Sequence, residues 1–178
     1  RRAEGVWPNS AVVAGRSAGD SRGVSEGAHV DLERVTRRWN GEGGVVDVSL
    51  AAPAGAFVSV LGPSGCGKST LLRLIAGLER PQSGAVRIAG RDVGAVEPSG
   101  RGLSMVFQSY ALFPHLSVEE NILFGMRVRR ASKAERAAKL SEAVRMLGLE
   151  GLEARRPAAL SGGQRQRVAL ARAVVSGH

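Results

Sequence analysis

The spacing of apolar residues changes along the chain, and each change marks an element. Val30, Leu32 and Val35 lie close to the spacing of a short strand, and Val45, Val46, Val48 and Leu50 predict a second. Ala56 to Leu61 is an apolar run leading into glycines, the pattern of a buried strand in an α/β sheet. Leu71, Leu72, Leu74 and Ile75 fall on one side of a helix predicted over 70–78. Residues 84–93 read as a hairpin turning at Gly90-Arg91, and Leu103 to Phe107 as a further strand. Beyond that the pattern turns helical. Ser117 with Glu120, and Ser132 with Glu135, are both capping boxes. The first opens a short helix through Phe124, the second a longer one through Leu147 that stops at Gly148. Ser161 opens a last helix toward Val175. Residues 1–28 have no sustained period and are rich in Gly, Ser and Ala, so a disordered tail is expected there.

Composition narrows this picture. A chain of 178 residues suits about one domain. The lone cysteine, Cys66, excludes an internal disulfide and fits a reducing compartment. No apolar run reaches the ~18–20 residues that span a bilayer, and no apolar stretch follows Arg1-Arg2 as a signal peptide would require. The net charge is +9, yet residues 1–56 carry seven basic and seven acidic residues, so the whole excess falls later. That excess suits a polyanion (nucleic acid, anionic lipid or nucleotide) or simply a solvated Arg-rich surface. Only Lys68, Lys133 and Lys139 are lysines, a preference that reads as compositional.

Gly62-Pro63-Ser64-Gly65-Cys66-Gly67-Lys68-Ser69, followed by Thr70, fits the phosphate-loop pattern between a strand and a helix. A triphosphate needs many donors in a small concave space. Glycines let backbone N–H groups turn inward, and the following helix adds its positive end. Lys68 supplies a charge for the terminal phosphates and the Ser69 hydroxyl suits Mg²⁺. Cys66, inside the loop, is either a small residue that fits or a thiol made reactive by Lys68 and the helix end.

Two later stretches narrow the reading. Leu160-Ser161-Gly162-Gly163-Gln164, continuing Arg165-Gln166-Arg167, resembles the signature motif of ATP-binding cassette (ABC) ATPases. Val106 to Leu116, containing Gln108-Ser109-Tyr110, resembles their Q-loop and the segment after it. The resemblance covers about residues 29–178. It implies an α/β P-loop NTPase fold: a core and β-subdomain at 29–108, a helical subdomain at 109–160 and the signature helix at 161–178. It implies ATP and Mg²⁺ as cofactors, with the phosphates on residues 62–70 and the metal at Ser69 and Gln108, the latter also meeting the attacking water. Ser161, Gly162, Gly163 and Gln164 would face the γ-phosphate held by a second ATP-binding subunit in a head-to-tail dimer. By position Trp39 resembles the aromatic that stacks on adenine, worth ~1–3 kcal/mol; core packing is the alternative. Tyr110, Leu112, Phe113 and Leu116 surround Pro114 either as internal packing or as a groove for transmembrane permease subunits. Arg127, Arg129, Arg130, Lys133, Arg136 and Lys139 form a solvated face or lie near anionic headgroups.

The family pattern continues with a strand ending in Asp-Glu, a D-loop and a switch histidine. None has a counterpart here, and His178 does not match the switch position. The sequence is therefore expected to be a fragment with an incomplete sheet that folds poorly and hydrolyses ATP negligibly. Phe107 to Leu116, with Glu120-Asn121-Ile122 and Phe124-Gly125, looks most like the bacterial sugar, glycerol-phosphate and polyamine importers. The resemblance implies an importer subunit peripheral on the cytoplasmic face, served indirectly by a periplasmic or extracellular solute-binding protein, with no nucleic acid. Sugar or polyol is the first solute, with polyamine, sulfate, iron or phosphonate as alternatives. A truncated nucleotide-binding module without turnover remains open. So does a non-transport ABC ATPase of DNA repair or translation, supported only by the basic excess.

Overall fold

A computed structural model describes residues 12–16, 30–39 and 43–176, which divide into two compact units, 1–101 and 102–178. The first unit holds β1 (Val12–Arg16), β2 (Val30–Arg38), β3 (Gly44–Ala52), β4 (Phe57–Leu61), α1 (Lys68–Ala76), β5 (Ser83–Ile88) and β6 (Arg91–Asp92). Four strands form an antiparallel sheet in the order β3-β2-β5-β6. Leu32 and Val35 are three apart, a spacing that a regular strand would send to opposite faces. Here the register shifts between them, and Arg34 takes a left-handed φ of 47°. This bulge returns both side chains to the core beside Val45, Val48 and Val86.

Three expectations are corrected in this unit and at its border. Val12–Arg16, in the stretch expected as tail, is a strand paired antiparallel with β4; the remaining residues of 1–28 lie outside the described ones. The apolar β4 is not buried: Phe57 is 77% and Leu61 57% exposed. An all-apolar strand is buried only when both faces are covered, and β1 is its only sheet neighbour among the described residues. Leu103 to Phe107 forms no strand, because no described edge pairs with it.

α1 begins two residues before its predicted start and ends at Ala76, against a predicted Leu78. Gly77 stops it in the left-handed region (φ 81°), with Leu78 N–H returning to the Arg73 carbonyl. The buried Arg101 seals this end, donating to the carbonyls of Leu74 (2.8 Å), Ile75 (3.0 Å) and Val96 (2.8 Å). Burial pushes its guanidinium below the ordinary arginine value, and the helix C-terminus supplies compensating negative charge. A side chain at Gly77 would collide with that guanidinium.

The second unit packs α2 (Val118–Val128), α3 (Lys133–Met146) and α4 (Gly162–Ser176) around one apolar cluster. Val118, Ile122 and Met126 line α2 at helical spacing, and Val168, Ala171 and Val175 line α4. Each fully buried aliphatic side chain contributes about 1.5–3 kcal/mol before entropy is counted. α2 runs four residues beyond Phe124, because Met126 is needed in the core and Gly125 lets α4 come close. A Cβ there would lie 2.5 Å from the Ser176 hydroxyl. The Ser117 box closes reciprocally, with Glu120 N–H donating to Ser117 Oγ at 3.2 Å and Ser117 N–H to Glu120 Oε2 at 2.9 Å. The Ser132 box is half formed: Ser132 Oγ accepts from Glu135 N–H at 3.1 Å, while the Glu135 carboxylate turns to Arg129 at 3.5 Å.

Asn121 is the polar centre of this unit and is fully buried. Its Oδ1 accepts from Phe113 N–H at 2.8 Å. Its Nδ2 donates to the carbonyls of Phe113 (3.1 Å), Leu116 (3.2 Å) and Ser117 (2.9 Å). Asn121→Ala strands these groups in an apolar interior and lowers unfolding stability by about 2–3 kcal/mol, read as a drop in urea midpoint. The Ser117 backbone N–H, more than any other group, holds the Glu120 carboxyl below its ordinary value. Its contribution is present above the unfolded carboxyl pKa and is lost as pH falls through the depressed value. Glu120→Gln therefore flattens the acid limb of a stability–pH profile; an unchanged limb refutes this assignment.

Candidate functional site

The phosphate loop, Gly62 to Ser69, runs from the end of β4 into α1, all within the first unit. Gly65 (φ 83°) and Gly67 (φ 97°) are left-handed, so the loop doubles back. At Gly67 a Cβ would lie 2.5 Å from the Gly44 carbonyl oxygen and 2.7 Å from Val45 Cγ1, so the start of β3 walls the loop. Lys68 Nζ donates to the carbonyls of Gly62 (2.7 Å) and Pro63 (2.6 Å) and lies 3.5 Å from Cys66 Sγ. The ammonium is thereby pinned within the turn of the loop. Cys66 is buried there, whereas Ser64, Gly65 and Ser69 are exposed.

The helix N-termini differ in a way that selects anion sites. A helix leaves the N–H groups of its first turn unpaired. α2 and α3 cover theirs with a serine cap and with Glu119 and Glu120, or Glu135, which repel an anion. α1 has no side-chain cap and no acid in its first turn, and Lys68 stands there instead. α4 also lacks an acid in its first turn, but Ser161 and Gln164 cap each other at 3.2 and 2.8 Å. Gly162 and Gly163 are exposed, with open space where a Cβ would stand.

Trp39 follows directly on β2, one residue beyond the Arg38–Gly44 pair. The Gly44 carbonyl that backs Gly67 belongs to the residue paired with Arg38, so the chain reaches Trp39 one residue beyond the backbone that walls the phosphate loop. Trp39 is 38% exposed, with the Arg37 guanidinium 4.3 Å from its ring centroid. Asn40, Gly41 and Glu42 lie outside the described residues.

Gln108 and the 161–164 motif belong to the second unit. Gln108 is exposed and opens a turn in which Tyr110 (φ 62°) and Ala111 (φ 46°) are both left-handed. Consecutive non-glycine residues in this region are uncommon and need outside support. Arg172 of α4 provides it, donating to the carbonyls of Ala111 (2.7 Å) and Tyr110 (3.0 Å). Burial pushes the Arg172 guanidinium below its ordinary value. Phe113 stacks on Phe124 at 4.4 Å, and Leu112 packs against the core cluster. The basic run is partly paired: Arg127 meets Glu120 at 3.6 Å and Lys139 meets Glu142 at 3.2 Å. Sequence reading missed the roles of Arg101 and Arg172, whose acceptors include backbone carbonyls far along the chain, and of Asn121, whose partners are backbone groups of the loop before it. His178 lies outside the described residues.

The sequence pattern of the ABC transporter family matches residues 45–178, most of the chain. The chain belongs to the ABC transporter family. It is similar to the sn-glycerol-3-phosphate import ATP-binding protein UgpC of Salmonella typhimurium, 52% identical over 149 residues, covering 83% of this chain and 42% of that protein. The UgpC proteins of Salmonella typhi and Escherichia coli O1:K1 are 52% and 50% identical over the same shares. The chain thus spans under half the length of these relatives. As an ABC transporter domain it has the P-loop fold with an antiparallel β-subdomain and a helical portion, and no described helix is long and apolar enough to cross a membrane.

The residues present fit the nucleotide the family implies. The uncapped N-terminus of α1, the left-handed glycines and Lys68 form a cradle for phosphate oxygens. No group of three metal-ligating side chains exists among the described residues. A Mg²⁺ there would rely on the exposed Ser69 hydroxyl and the phosphates themselves, as magnesium sites commonly do. Lys68→Ala weakens binding of inorganic tripolyphosphate about 10- to 100-fold, the size of a lost charge-assisted hydrogen bond. Gly67→Ala loses binding together with thermal stability, because its Cβ has no room against β3. Calorimetry and melting curves on the two variants check both outcomes.

Proposed function

We propose that this chain is the nucleotide-binding portion of the ATP-binding subunit of an importer. The observation that carries this is the acid-free, uncapped N-terminus of α1 with Lys68 pinned in the loop, in a chain 52% identical to an import ATP-binding protein. On this reading Gly62 to Thr70 hold the phosphates of ATP, Ser69 and Gln108 serve the Mg²⁺, and Trp39 stacks on the adenine. Bound Mg²⁺ offsets phosphate charge as the terminal phosphoryl group is transferred. The open glycines at the head of α4 suit a second phosphate contact, made to the nucleotide of a partner ATP-binding subunit in a head-to-tail dimer. ATP then favours the closed pair through contacts it makes only there.

The segment after Gln108, held by Arg172 and Asn121, is proposed as the face toward transmembrane permease subunits. That places the chain on the cytoplasmic side of a membrane, with a solute-binding protein acting from outside. Glycerol-3-phosphate, named for the relatives, is the first solute, and a sugar or other polyol is second.

One observation favours binding without turnover for these 178 residues. Hydrolysis needs a carboxylate to orient the attacking water. Among the described residues of the first unit, Glu33, Asp47, Glu79 and Glu97 are each paired with an arginine, and Asp92 accepts from Gly94 N–H. The expected outcome is ATP binding by calorimetry that Lys68→Ala weakens about 10- to 100-fold, with phosphate release no faster than in buffer. Sustained hydrolysis by the purified chain would overturn the binding-only reading, and absence of ATP binding would overturn the function itself.

A further inference from the structure

We propose that Arg37, fixed by Glu79, is a positioning residue that holds Trp39 as a platform with one open face for the nucleotide base. The proposal rests on the base-stacking reading of Trp39 and adds how the indole is held and which face is used. The guanidinium carbon lies 4.3 Å from the indole centroid, within reach of a cation–π contact. With one face covered by arginine, the opposite face is the only π surface left for a flat ligand.

The arginine is itself tied down. Arg37 Nη2 donates to Glu79 Oε2 at 3.1 Å, and the two side chains are only 26% and 22% exposed. Such a pair is screened far less than a surface ion pair. The backbone on either side of Arg37 is tied to the same short segment. Gln82 N–H donates to the Thr36 carbonyl at 2.8 Å. The Gln82 side chain accepts from Arg38 N–H at 2.8 Å and donates to the Arg38 carbonyl at 3.4 Å. Glu79 and Gln82 follow immediately on the Gly77 stop of α1. The helix whose head forms the phosphate site thus carries just beyond its tail the residues that fix the base platform. Phosphates and base are measured against one rigid element, which favours a ligand holding both at nucleotide spacing.

Arginine is required rather than any cation, because a planar guanidinium stacks on the ring while its edge still reaches the carboxylate. Lysine keeps the charge and loses the plane.

The test compares ATP with inorganic tripolyphosphate, which has the charge and lacks the base, by calorimetry on the purified chain. Arg37→Ala is expected to weaken ATP about fivefold and leave tripolyphosphate unchanged. Arg37→Lys falls between, and Glu79→Gln shifts ATP alone in the same direction. Glu79→Gln also serves if Arg37→Ala does not fold, since it keeps the volume and an uncharged acceptor. Equal weakening of ATP and tripolyphosphate would make Arg37 a general structural residue and overturn the proposal. Unchanged ATP affinity in Arg37→Ala, with weakened affinity in Trp39→Ala, would overturn it while leaving the platform in place. Unchanged ATP affinity in Trp39→Ala would remove the platform itself, and the buttress with it.

Discussion

The backbone at the start of β3 presses against Gly67, and the nucleotide-facing geometry of the first unit depends on that contact. The Gly44 carbonyl and the Val45 side chain occupy the space a Cβ on residue 67 would need. Gly67 also sits at a φ of 97°, where a side chain is strained whatever the space. Glycine is needed on the other side too, since a Cβ at Gly44 would run into the Arg37 carbonyl. Two facing glycines let β3, the end of β2 and the head of α1 meet at backbone distance. From that meeting point Lys68 enters the loop and Trp39 leaves β2. A sheet of modest size thereby gains a rigid junction between a phosphate cradle and an aromatic ring.

The second unit solves a different problem. Its loop from Gln108 to Ser117 has to hold a fixed shape without a sheet to pair with. Asn121 and Arg172 hold it by reaching from α2 and α4 to the loop's own backbone. Buried polar side chains are costly unless nearly every donor and acceptor is used. Asn121 uses its carbonyl and its amide on four backbone groups, and Arg172 faces two carbonyls and the Phe113 ring at 5.7 Å. The left-handed pair Tyr110 and Ala111 is stable because its carbonyls are aimed at a guanidinium. A rearrangement of this loop has to break that fork or carry α4 with it.

What was legible in the sequence was what short-range chemistry encodes. The phosphate loop is contiguous, so its residues announce themselves together. Capping at Ser117 and Ser132 depends on a partner three residues on; the Ser117 box closes as read and the Ser132 box closes by half. Strand burial was less legible. The apolar run of β4 predicts a covered strand, yet cover comes from neighbours that the run itself does not specify. Leu103 to Phe107 has strand composition and no described edge to pair with. The bulge at Arg34 shows the reverse, with an irregular apolar spacing made regular in space by a local kink. The structural roles of Asn121, Arg101 and Arg172 were invisible because their partners are backbone groups, which have no letter in the sequence. Arg101 reaches 27 residues back and Arg172 reaches 62.

The same point revises the meaning of the arginine excess. Three lysines among 25 basic residues look like composition alone. In the structure several arginines act as donors to carbonyls that helices and turns leave unpaired. Arg101 closes the end of α1, Arg165 caps back to Leu160 at 2.7 Å, and Arg167 reaches both Leu147 and Gly148 at 3.0 Å at the end of α3. Arg172 does the same for the loop after Gln108, and Arg37 adds a stack on Trp39. A lysine ammonium is a point charge on a flexible stem and matches neither two adjacent carbonyls nor a ring face as a planar guanidinium does. Four arginines of residues 57–178, Arg101, Arg165, Arg167 and Arg172, are thus internal carpentry, with their cations set against backbone oxygen. These arginines have structural work to do, whereas the backbone N–H groups at the head of α1 have neither a side-chain cap nor an acid beside them and are open to an anion.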